Sequence, residues 1–151
     1  METALSMIAI VVSLLSFVFA LYTFIWTGQR DRKQATLEAY NRLQEQVLDD
    51  LNHYMPKDME EIAKNPRSEA YRRVSAYLAR IEHFCVGVNQ KIYDRGIVYE
   101  LAHGYLDGAI KSRITPLIEK KNRSGHDYYA NIHRVYAWME AEQKKRTASG
   151  R

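Results

Sequence analysis

The sequence contains little cysteine, proline or glycine, and each scarcity excludes a class of protein. One Cys among 151 residues excludes an intramolecular disulfide framework and a cysteine-based zinc cluster. Seven Gly and three Pro are too few for a collagen or for a disordered chain rich in those residues. The chain also lacks a P-loop, any other Gly-rich phosphate turn and a repeat of solenoid length. The sequence therefore favours a small helical protein without a recognisable set of catalytic residues.

Charge is also missing from one long stretch near the N-terminus. The whole chain is 46% hydrophobic and its mean hydropathy is −0.44, yet the 23 positions from Ala4 to Trp26 contain no charged residue. As a helix this stretch would be roughly 34 Å long, enough to cross a hydrocarbon core of about 30 Å. Tyr22 and Trp26 suit the headgroup region at its end. We predict a transmembrane helix over residues 4–27.

A cleaved signal peptide is the alternative interpretation of this stretch. The residues before the apolar run include Glu2 and no Lys or Arg, whereas a signal peptide begins with positive charge. The tripeptide Val18-Phe19-Ala20 resembles a cleavage site, but apolar residues continue beyond it. The run is also longer than an ordinary signal peptide core, so we favour an uncleaved single span.

Basic residues follow the span directly and predict its orientation. No Lys or Arg precedes Arg30, which is followed by Arg32 and Lys33. The positive-inside rule therefore places the N-terminus outside and the C-terminal part in the cytoplasm. The lone Cys85 agrees with a reducing compartment.

Small or hydroxylated residues recur along one face of the predicted span, alternately three and four positions apart. They are Ser6, Ala9, Ser13, Ser16, Ala20, Thr23 and Thr27. Small residues let helices approach closely in lipid, and hydroxyls can form hydrogen bonds between helices. We interpret this association face as a contact with a second copy or with a partner membrane protein. The alternative is that the hydroxyls bond to their own helix backbone.

The rest of the chain predicts an all-α fold, a small helical bundle behind the membrane anchor. Residues 30–151 carry 22 Lys and Arg against 17 Asp and Glu, a net charge of +5. Apolar residues recur at helical spacing in four segments, and no segment shows sustained alternation. The predicted helices are 31–54, 68–92, 97–113 and 127–144, with a short charged helix at 58–64. The predicted divisions are a transmembrane helix 4–27, a stalk 28–56, a bundle 57–144 and a disordered basic tail 145–151. Gly28 marks either a continuous stalk or a hinge.

Apolar side chains at this spacing predict which residues face the core. The first helix places Leu37, Tyr40, Val47, Leu51 and Tyr54 on one face, with Leu43 and Leu48 beside them. The second places Tyr71, Val74, Leu78, Ile81, Cys85, Val88 and Ile92 inward, the third Val98, Leu101, Tyr105 and Ala109, and the fourth Tyr129, Ile132, Tyr136 and Met139.

Candidate metal ligands are present but incompletely arranged. Glu100 and His103 form half of a ferritin-like di-metal motif, with Asp107 one turn further, but the sequence has no second copy. His126 and His133 lie roughly 10 Å apart along a helix, too far to share one ion. We therefore predict no metal, no cofactor and a solvated charged face on the third helix. Cys85 is predicted to fill the core rather than to act as a nucleophile.

Four basic clusters raise the question of a nucleic-acid partner or a ribonuclease function. The clusters are Arg30, Arg32 and Lys33; Arg72 and Arg73; Lys120, Lys121 and Arg123; and Lys144, Lys145 and Arg146. Acidic residues are mixed among them, and no Arg precedes a His at the spacing of small helical ribonucleases. We predict no nucleic-acid partner. Topology accounts for the first cluster, and solubility or anionic lipid accounts for the last.

One stretch resembles a known family. It reads Leu78-x-x-Ile81-Glu82-His83-Phe84-Cys85-Val86-Gly87-Val88-Asn89-x-x-Ile92-Tyr93-Asp94, followed by Gly104-Tyr105-Leu106 and Pro116-Leu117-Ile118-Glu119. It is similar to a bacterial family of small proteins, domain of unknown function 4760, over roughly residues 70–140. The resemblance implies an N-terminal hydrophobic anchor and a helical domain, and it brings no activity or catalytic residue. The motif positions are Glu82, Gly87, Asn89, Asp94 and Gly104. Glu82 and Asn89 share a helix face, where they either bind a ligand or partner or anchor a helix terminus.

The resulting hypothesis is a single-pass protein of the bacterial inner membrane. Its partners would be membrane lipid and a second copy or another membrane protein, and it would act as a scaffold through protein–protein contact. The alternative is a small membrane effector of the phage defence or exclusion type, whose assembled spans perturb the membrane. An enzyme is the third hypothesis, and we do not expect one because no catalytic constellation is found.

Overall fold

The computed structural model describes residues 2–122 and 127–150, and the predicted all-α class is confirmed. The helices are α1 (Glu2–Leu43), α2 (Asp49–Asn52), α3 (Pro56–Lys64), α4 (Glu69–Asn89), α5 (Arg95–Gly104), α6 (Lys111–Asn122) and α7 (Ala130–Ser149). A π-helical turn (Gln44–Leu48) joins α1 to α2, and a second (Tyr105–Ile110) joins α5 to α6. Within the described ranges there is no strand.

The first long helix runs without a break from the apolar N-terminus into the core. Gly28 lies inside α1 in open space, so the helix is continuous there and does not hinge. The predicted stalk needs a correction, because its second half is a core element. Tyr40, Val47 and Leu51 are all buried, so the predicted boundary between residues 56 and 57 does not coincide with the edge of the bundle.

Three hydrogen bonds place α5 and α6 alongside the first long helix, in the same direction. The Tyr40 hydroxyl donates to the Leu101 carbonyl (3.1 Å), and the Tyr105 hydroxyl donates to the Leu48 carbonyl (3.3 Å). Further along, Arg113 donates to the Asn52 side chain (2.6 Å).

Helix α4 packs against the first long helix and runs in the opposite direction. Tyr77, near its start, donates to Asp50, whereas Asp94, just beyond its end, donates its backbone N–H to the Thr36 hydroxyl (2.7 Å). The core is thus an up–down–up arrangement. Helix α3 covers α6, and α7 packs on α4.

Local capping signals explain where the helices begin. The Ser68 hydroxyl accepts the Tyr71 N–H (3.1 Å) at the start of α4, as the sequence predicts. Pro56 occupies the first turn of α3, where a missing N–H costs nothing, and Asp58 accepts the Met55 N–H (2.8 Å).

The third predicted helix is longer than expected. The prediction ends it at residue 113, but the chain remains helical to Asn122 with Pro116 inside α6. The Thr115 hydroxyl bonds to the Lys111 carbonyl (2.6 Å) in the turn before the proline. Ile114 and Leu117 on either side of it are fully buried, and their packing offsets the missing backbone hydrogen bond.

Its inward face also differs from the prediction. Leu101 is 39% exposed, and the buried positions are Val98, Tyr99, Ala102, Leu106, Ile110 and Ile114. The last four recur every four residues, a spacing that drifts forward by about 40° per step on an α-helix, and the smaller rotation per residue in the wider π-helical turn offsets this drift. The structure thus confirms Val98 and shifts the inward face by one residue from the predicted Leu101, Tyr105 and Ala109, beginning in α5 before the π-helical turn.

The basic C-terminal segment is helical rather than disordered, which corrects the predicted tail. Helix α7 continues to Ser149. Arg146 forms ion pairs with Glu100 and with Glu142 (3.3 Å), and its guanidinium lies 4.1 Å from the centre of the Tyr99 ring. These contacts tie the last turns of α7 to α5.

The predicted core faces of α4 and α7 are confirmed at nearly every position. Val74, Leu78, Ile81, Cys85 and Val88 are buried in α4, and Tyr129, Ile132, Tyr136 and Met139 are buried at the start of α7 and along it. Ile92 and Leu37 join Leu101 as predicted core residues that lie outside it. Ile92 follows the end of α4 and is exposed, and Leu37 lies at the outer limit of the bundle.

Candidate functional site

The N-terminal half of α1 is an apolar surface that contacts no other part of the described chain. Phe17, Phe19 and Phe24 are 63%, 72% and 78% exposed, as are other apolar residues between Met7 and Trp26. The most apolar 18-residue window of this helix has a mean hydropathy of 2.2 and no buried residue. One helix is therefore long and apolar enough to cross a membrane.

The predicted association face lies on this exposed segment. Ala9, Ser13, Ser16, Ala20 and Thr27 are all exposed, and the Ser6 side chain is outside the described residues. The Thr23 hydroxyl donates to the Phe19 carbonyl (2.9 Å). This residue thus satisfies its hydroxyl within its own helix, as the alternative interpretation expects.

The basic flank lies directly after the apolar segment and outside the bundle. Arg30, Arg32 and Lys33 are exposed, and within the described ranges none forms an ion pair. One turn later Thr36 is fully buried and donates its hydroxyl to the Arg32 carbonyl (2.7 Å). The exposed cations and the first buried residue of the core are thus separated by about one turn of α1.

Two motif residues of α4 fix the start of α7. The Glu82 carboxylate accepts the backbone N–H groups of Asn131 (3.1 Å) and Ile132 (3.0 Å) and the Asn131 side-chain amide (2.7 Å). Asn89 donates to the carbonyl and side-chain oxygens of Asn131 (3.2 and 3.0 Å). A helix N-terminus has unpaired N–H groups and a positive dipole end, so a carboxylate satisfies both. Glu82 and Asn89 therefore anchor a helix terminus, which was one of the two predicted roles.

Gly87 makes the corner between α4 and α5 possible. A Cβ at this position would lie 2.3 Å from Cε2 of Tyr93, so only glycine lets the Tyr93 ring cross α4 here. The Gly87 carbonyl accepts the N–H groups of Ile92 (2.9 Å) and Tyr93 (3.3 Å), and Lys91 adopts a left-handed backbone with φ of 59°. This pattern is a helix C-cap that turns the chain back.

The corner continues into the next motif residue. The Asp94 carboxylate accepts the Ile97 N–H (3.0 Å) and caps α5, while its own N–H donates to Thr36. Gly104 differs from Gly87, because a Cβ there would meet nothing within 4 Å. Four of the five motif positions thus carry interactions that hold the bundle together.

The candidate catalytic and metal-binding residues are engaged in other contacts. Glu100 pairs with Arg146, Asp107 pairs with Lys111 (3.1 Å), and the His103 ring stacks on Tyr99 with centroids 4.6 Å apart. In the part of the chain that the structure describes, no group of three His, Cys, Asp or Glu could hold a metal ion. His126, one of the two separated histidines, lies outside the described residues.

Cys85 lies on the core stripe of α4, where its sequence position predicts it. It is 2% exposed. Burial, and to a lesser degree the nearby Glu82, raises the pKa of the Cys85 thiol above its ordinary value. A thiol held in its neutral form is a poor nucleophile, so its environment suits packing.

Sequence patterns did not indicate a groove that opens between α1 and α4. Its volume is about 470 Å³. Its floor includes Leu43, Val47 and Phe84, and its rim includes Arg42, Arg80 and His83. We call this feature the α1–α4 groove. Arg42 and Arg80 are far apart in the sequence and meet only where α1 packs on α4, so no local pattern predicts the groove. The small side chains of Ala39 and Ala79, which leave space between the two helices, are the feature of the sequence that could have indicated it.

Comparison with protein families identifies the chain, and the geometry of the motif agrees with the match. The family described as a domain of unknown function, DUF4760, matches residues 10–139, which include the apolar helix and all five motif positions. Comparison with curated proteins and with solved structures gave no match. The match extends over most of the chain, and the chain therefore belongs to the DUF4760 family.

Proposed function

We propose that this protein is a membrane-anchored helical scaffold, held by the apolar half of α1 and acting through protein–protein contact. The observation that carries the proposal is the exposed apolar segment, whose most apolar window has no buried residue. In water such a surface is far larger than the apolar patches that soluble monomers expose. Lipid removes it from water without any further protein contact.

The surroundings of this segment favour an anchor over the other functions of an apolar helix. A core helix of a soluble protein would be buried, and this one is exposed at Met7 and from Ala9 to Trp26. The uncharged run from Ala4 to Trp26 is also longer than the apolar core of an ordinary signal peptide. The same helix continues into the bundle, where Thr36 and Tyr40 are buried, so the anchor and the domain form one rod.

The basic flank supports a cytoplasmic position for the bundle, at the inner membrane of a bacterium. Arg30, Arg32 and Lys33 are exposed at the end of the apolar segment. Near an anionic lipid surface each such residue contributes about 1 kcal/mol of attraction. A fluorescent protein fused to the C-terminus should therefore fluoresce, and alkaline phosphatase fused there should be inactive. The opposite pair of results would contradict this orientation.

Two features support a scaffold rather than an enzyme. The motif residues Glu82, Gly87, Asn89 and Asp94 are occupied with internal capping and packing, so the motif maintains the shape of the bundle. The second feature is the association face, whose small residues allow another helix to approach closely in lipid and so support protein–protein contact. The proposed partner at this face is a second copy of the chain.

Substitution of the association face tests the proposal. Replacing Ser13, Ser16 and Ala20 by Leu adds bulk at the centre of the face and should reduce self-association in a bacterial membrane two-hybrid assay. The matched control, Val11→Leu with Leu15→Ile and Val18→Leu, changes the opposite face and should leave association intact. Equal association of all three proteins would remove this face from the proposal.

A dye-permeability assay on cells that overexpress the protein distinguishes the scaffold from the effector alternative. A scaffold should leave the membrane impermeable to the dye, whereas an effector whose assembled spans perturb the membrane should let the dye enter.

A further inference from the structure

We propose that the α1–α4 groove binds a water-soluble organic anion with a flat apolar body. This goes beyond the scaffold function and uses different residues. The groove is lined by side chains from α1, the first π-helical turn and α4, and by Tyr93 at the following corner. Its volume of about 470 Å³ lies within the range of small-molecule sites.

The charge around the groove has one sign. Arg42 and Arg80 line it with His83 beside them, and no Asp or Glu belongs to its described lining. Arg80 donates to the Gln46 side chain at 3.4 Å, a long hydrogen bond that leaves most of its donors available. Among the described residues, no hydrogen bond or ion pair engages Arg42 or His83. Guanidinium groups bind carboxylate, sulfonate and phosphate through paired N–H donors, so this rim is suited to an anion.

The floor of the groove suits a flat apolar group. The Tyr93 ring is partly exposed in the groove, and Phe84, which is only 4% exposed, stacks on it with ring centroids 5.3 Å apart and so holds it in place. Ala39 and Ala79 line the groove from opposite helices, and their small side chains leave space where longer ones would close it. An anion with an aromatic or similarly flat body would cover this floor while its charged end meets the arginines.

The position of the groove favours a soluble ligand over a lipid headgroup. In the membrane placement proposed above, the apolar helix ends near Thr27. Ala39, a lining residue near that end of the groove, is 12 positions further along the continuous α1, roughly 18 Å along its axis. The headgroup layer extends only about 7 Å beyond the hydrocarbon core. The groove therefore opens to water beyond the lipid surface.

Binding of 1-naphthalenesulfonate to the full chain in phosphatidylcholine nanodiscs tests the proposal. Saturation-transfer difference NMR, with empty nanodiscs subtracted, should give saturable binding, and the neutral analogue 1-naphthalenemethanol should bind much more weakly. The double variant Arg42→Gln/Arg80→Gln should weaken binding about tenfold, the equivalent of one lost charge-assisted hydrogen bond. Ala79→Leu, which fills the groove from an exposed position, should weaken it as well.

The matched control is Arg72→Gln, which removes an exposed cation from the same helix away from the groove and should leave binding unchanged. Far-UV circular dichroism confirms that each variant is folded. Equal binding of the charged and neutral probes, or unchanged binding in both groove variants, would overturn the proposal. Displacement of the sulfonate when phosphatidylglycerol is added to the nanodisc would assign the groove to lipid, and would also overturn it.

Discussion

The two halves of α1 share one continuous helix and differ in what surrounds them. At Met7 and from Ala9 to Trp26 its side chains are exposed, whereas Tyr40 and Leu43 in its second half are buried in the bundle, as is Val47 in the π-helical turn that follows. The second half contains fewer apolar residues than the first, yet it is the half that packs into the bundle. The difference lies in the polar residues between the apolar ones. The second half alternates polar and apolar positions at helical spacing, so it has one face for the core and another for water.

Placing the same charge in each half should give the largest contrast. Val47, in the π-helical turn that continues the second half of α1, is fully buried, so Val47→Arg should cost more than about 4 kcal/mol of unfolding free energy by burying an unpaired charge. Leu15→Arg should leave the stability of the bundle unchanged but raise the cost of membrane insertion by about 3 kcal/mol. Guanidinium unfolding in detergent measures the first quantity, and the fraction retained in washed membranes measures the second. Comparable bundle destabilisation by both variants would remove the distinction between the halves.

The bundle should depend strongly on Glu82, which has no counterpart in the apolar half. Glu82→Ala leaves two backbone N–H groups and the Asn131 amide without their acceptor, and should cost about 2–3 kcal/mol. Chemical unfolding followed by circular dichroism measures this loss. The control Glu119→Ala removes an exposed carboxylate from α6 and should change stability by less than about 0.5 kcal/mol. Similar losses in the two variants would contradict the helix-capping role of Glu82.

Substitution at the α4–α5 corner should lower the unfolding free energy by a smaller amount, and the loss should depend on the contact between Gly87 and Tyr93. Gly87→Ala forces the Tyr93 ring to move and should cost about 1–3 kcal/mol. In a Tyr93→Ala background the same substitution should cost much less, so a double-mutant cycle isolates the contact. Gly104→Ala is the control, since a Cβ there meets open space and alanine favours the helix. An undiminished cost of Gly87→Ala without the Tyr93 ring would show that the ring is not the cause.

The smallest expected effect concerns the last turns of α7. Arg146→Ala removes the contacts to Glu100, Glu142 and the Tyr99 ring. Amide hydrogen exchange near residues 145–149 should become faster, while exchange in α4 stays the same. Lys145→Ala, an exposed substitution next in sequence, is the control. Unchanged exchange in Arg146→Ala would indicate that this segment is helical for other reasons.

The sequence predicted those parts of the fold that depend on regular spacing. Val74, Leu78, Ile81, Cys85 and Val88 repeat at three and four residues, and all are buried as expected. The apolar segment could be predicted as well, because its length and lack of charge are properties of the sequence that need no tertiary contact to be seen. The family resemblance rested on the α4–α5 motif, whose residues prove to hold helix ends and a tight corner.

The parts that sequence patterns did not predict depend on tertiary contacts or on irregular helices. In α5, Ala102 rather than Leu101 takes the inward position, and the π-helical turn Tyr105–Ile110 then changes the period on which the predictions for Tyr105 and Ala109 relied. The helical C-terminus is held by residues of α5, which a local pattern of basic residues cannot show. The α1–α4 groove combines Arg42 and Arg80 from positions 38 residues apart, and only the antiparallel packing of their helices brings them together.

The anchoring role of α1 is tested most directly by the intact mass of the protein recovered from membranes washed with alkaline carbonate. We expect the uncleaved chain of 17.6 kDa in the membrane pellet, because the apolar half of α1 holds it there. A shorter protein lacking the first twenty or so residues would show that the segment is a signal peptide. Full-length protein in the supernatant would show that the segment does not anchor the chain, and either result would contradict the proposed anchor.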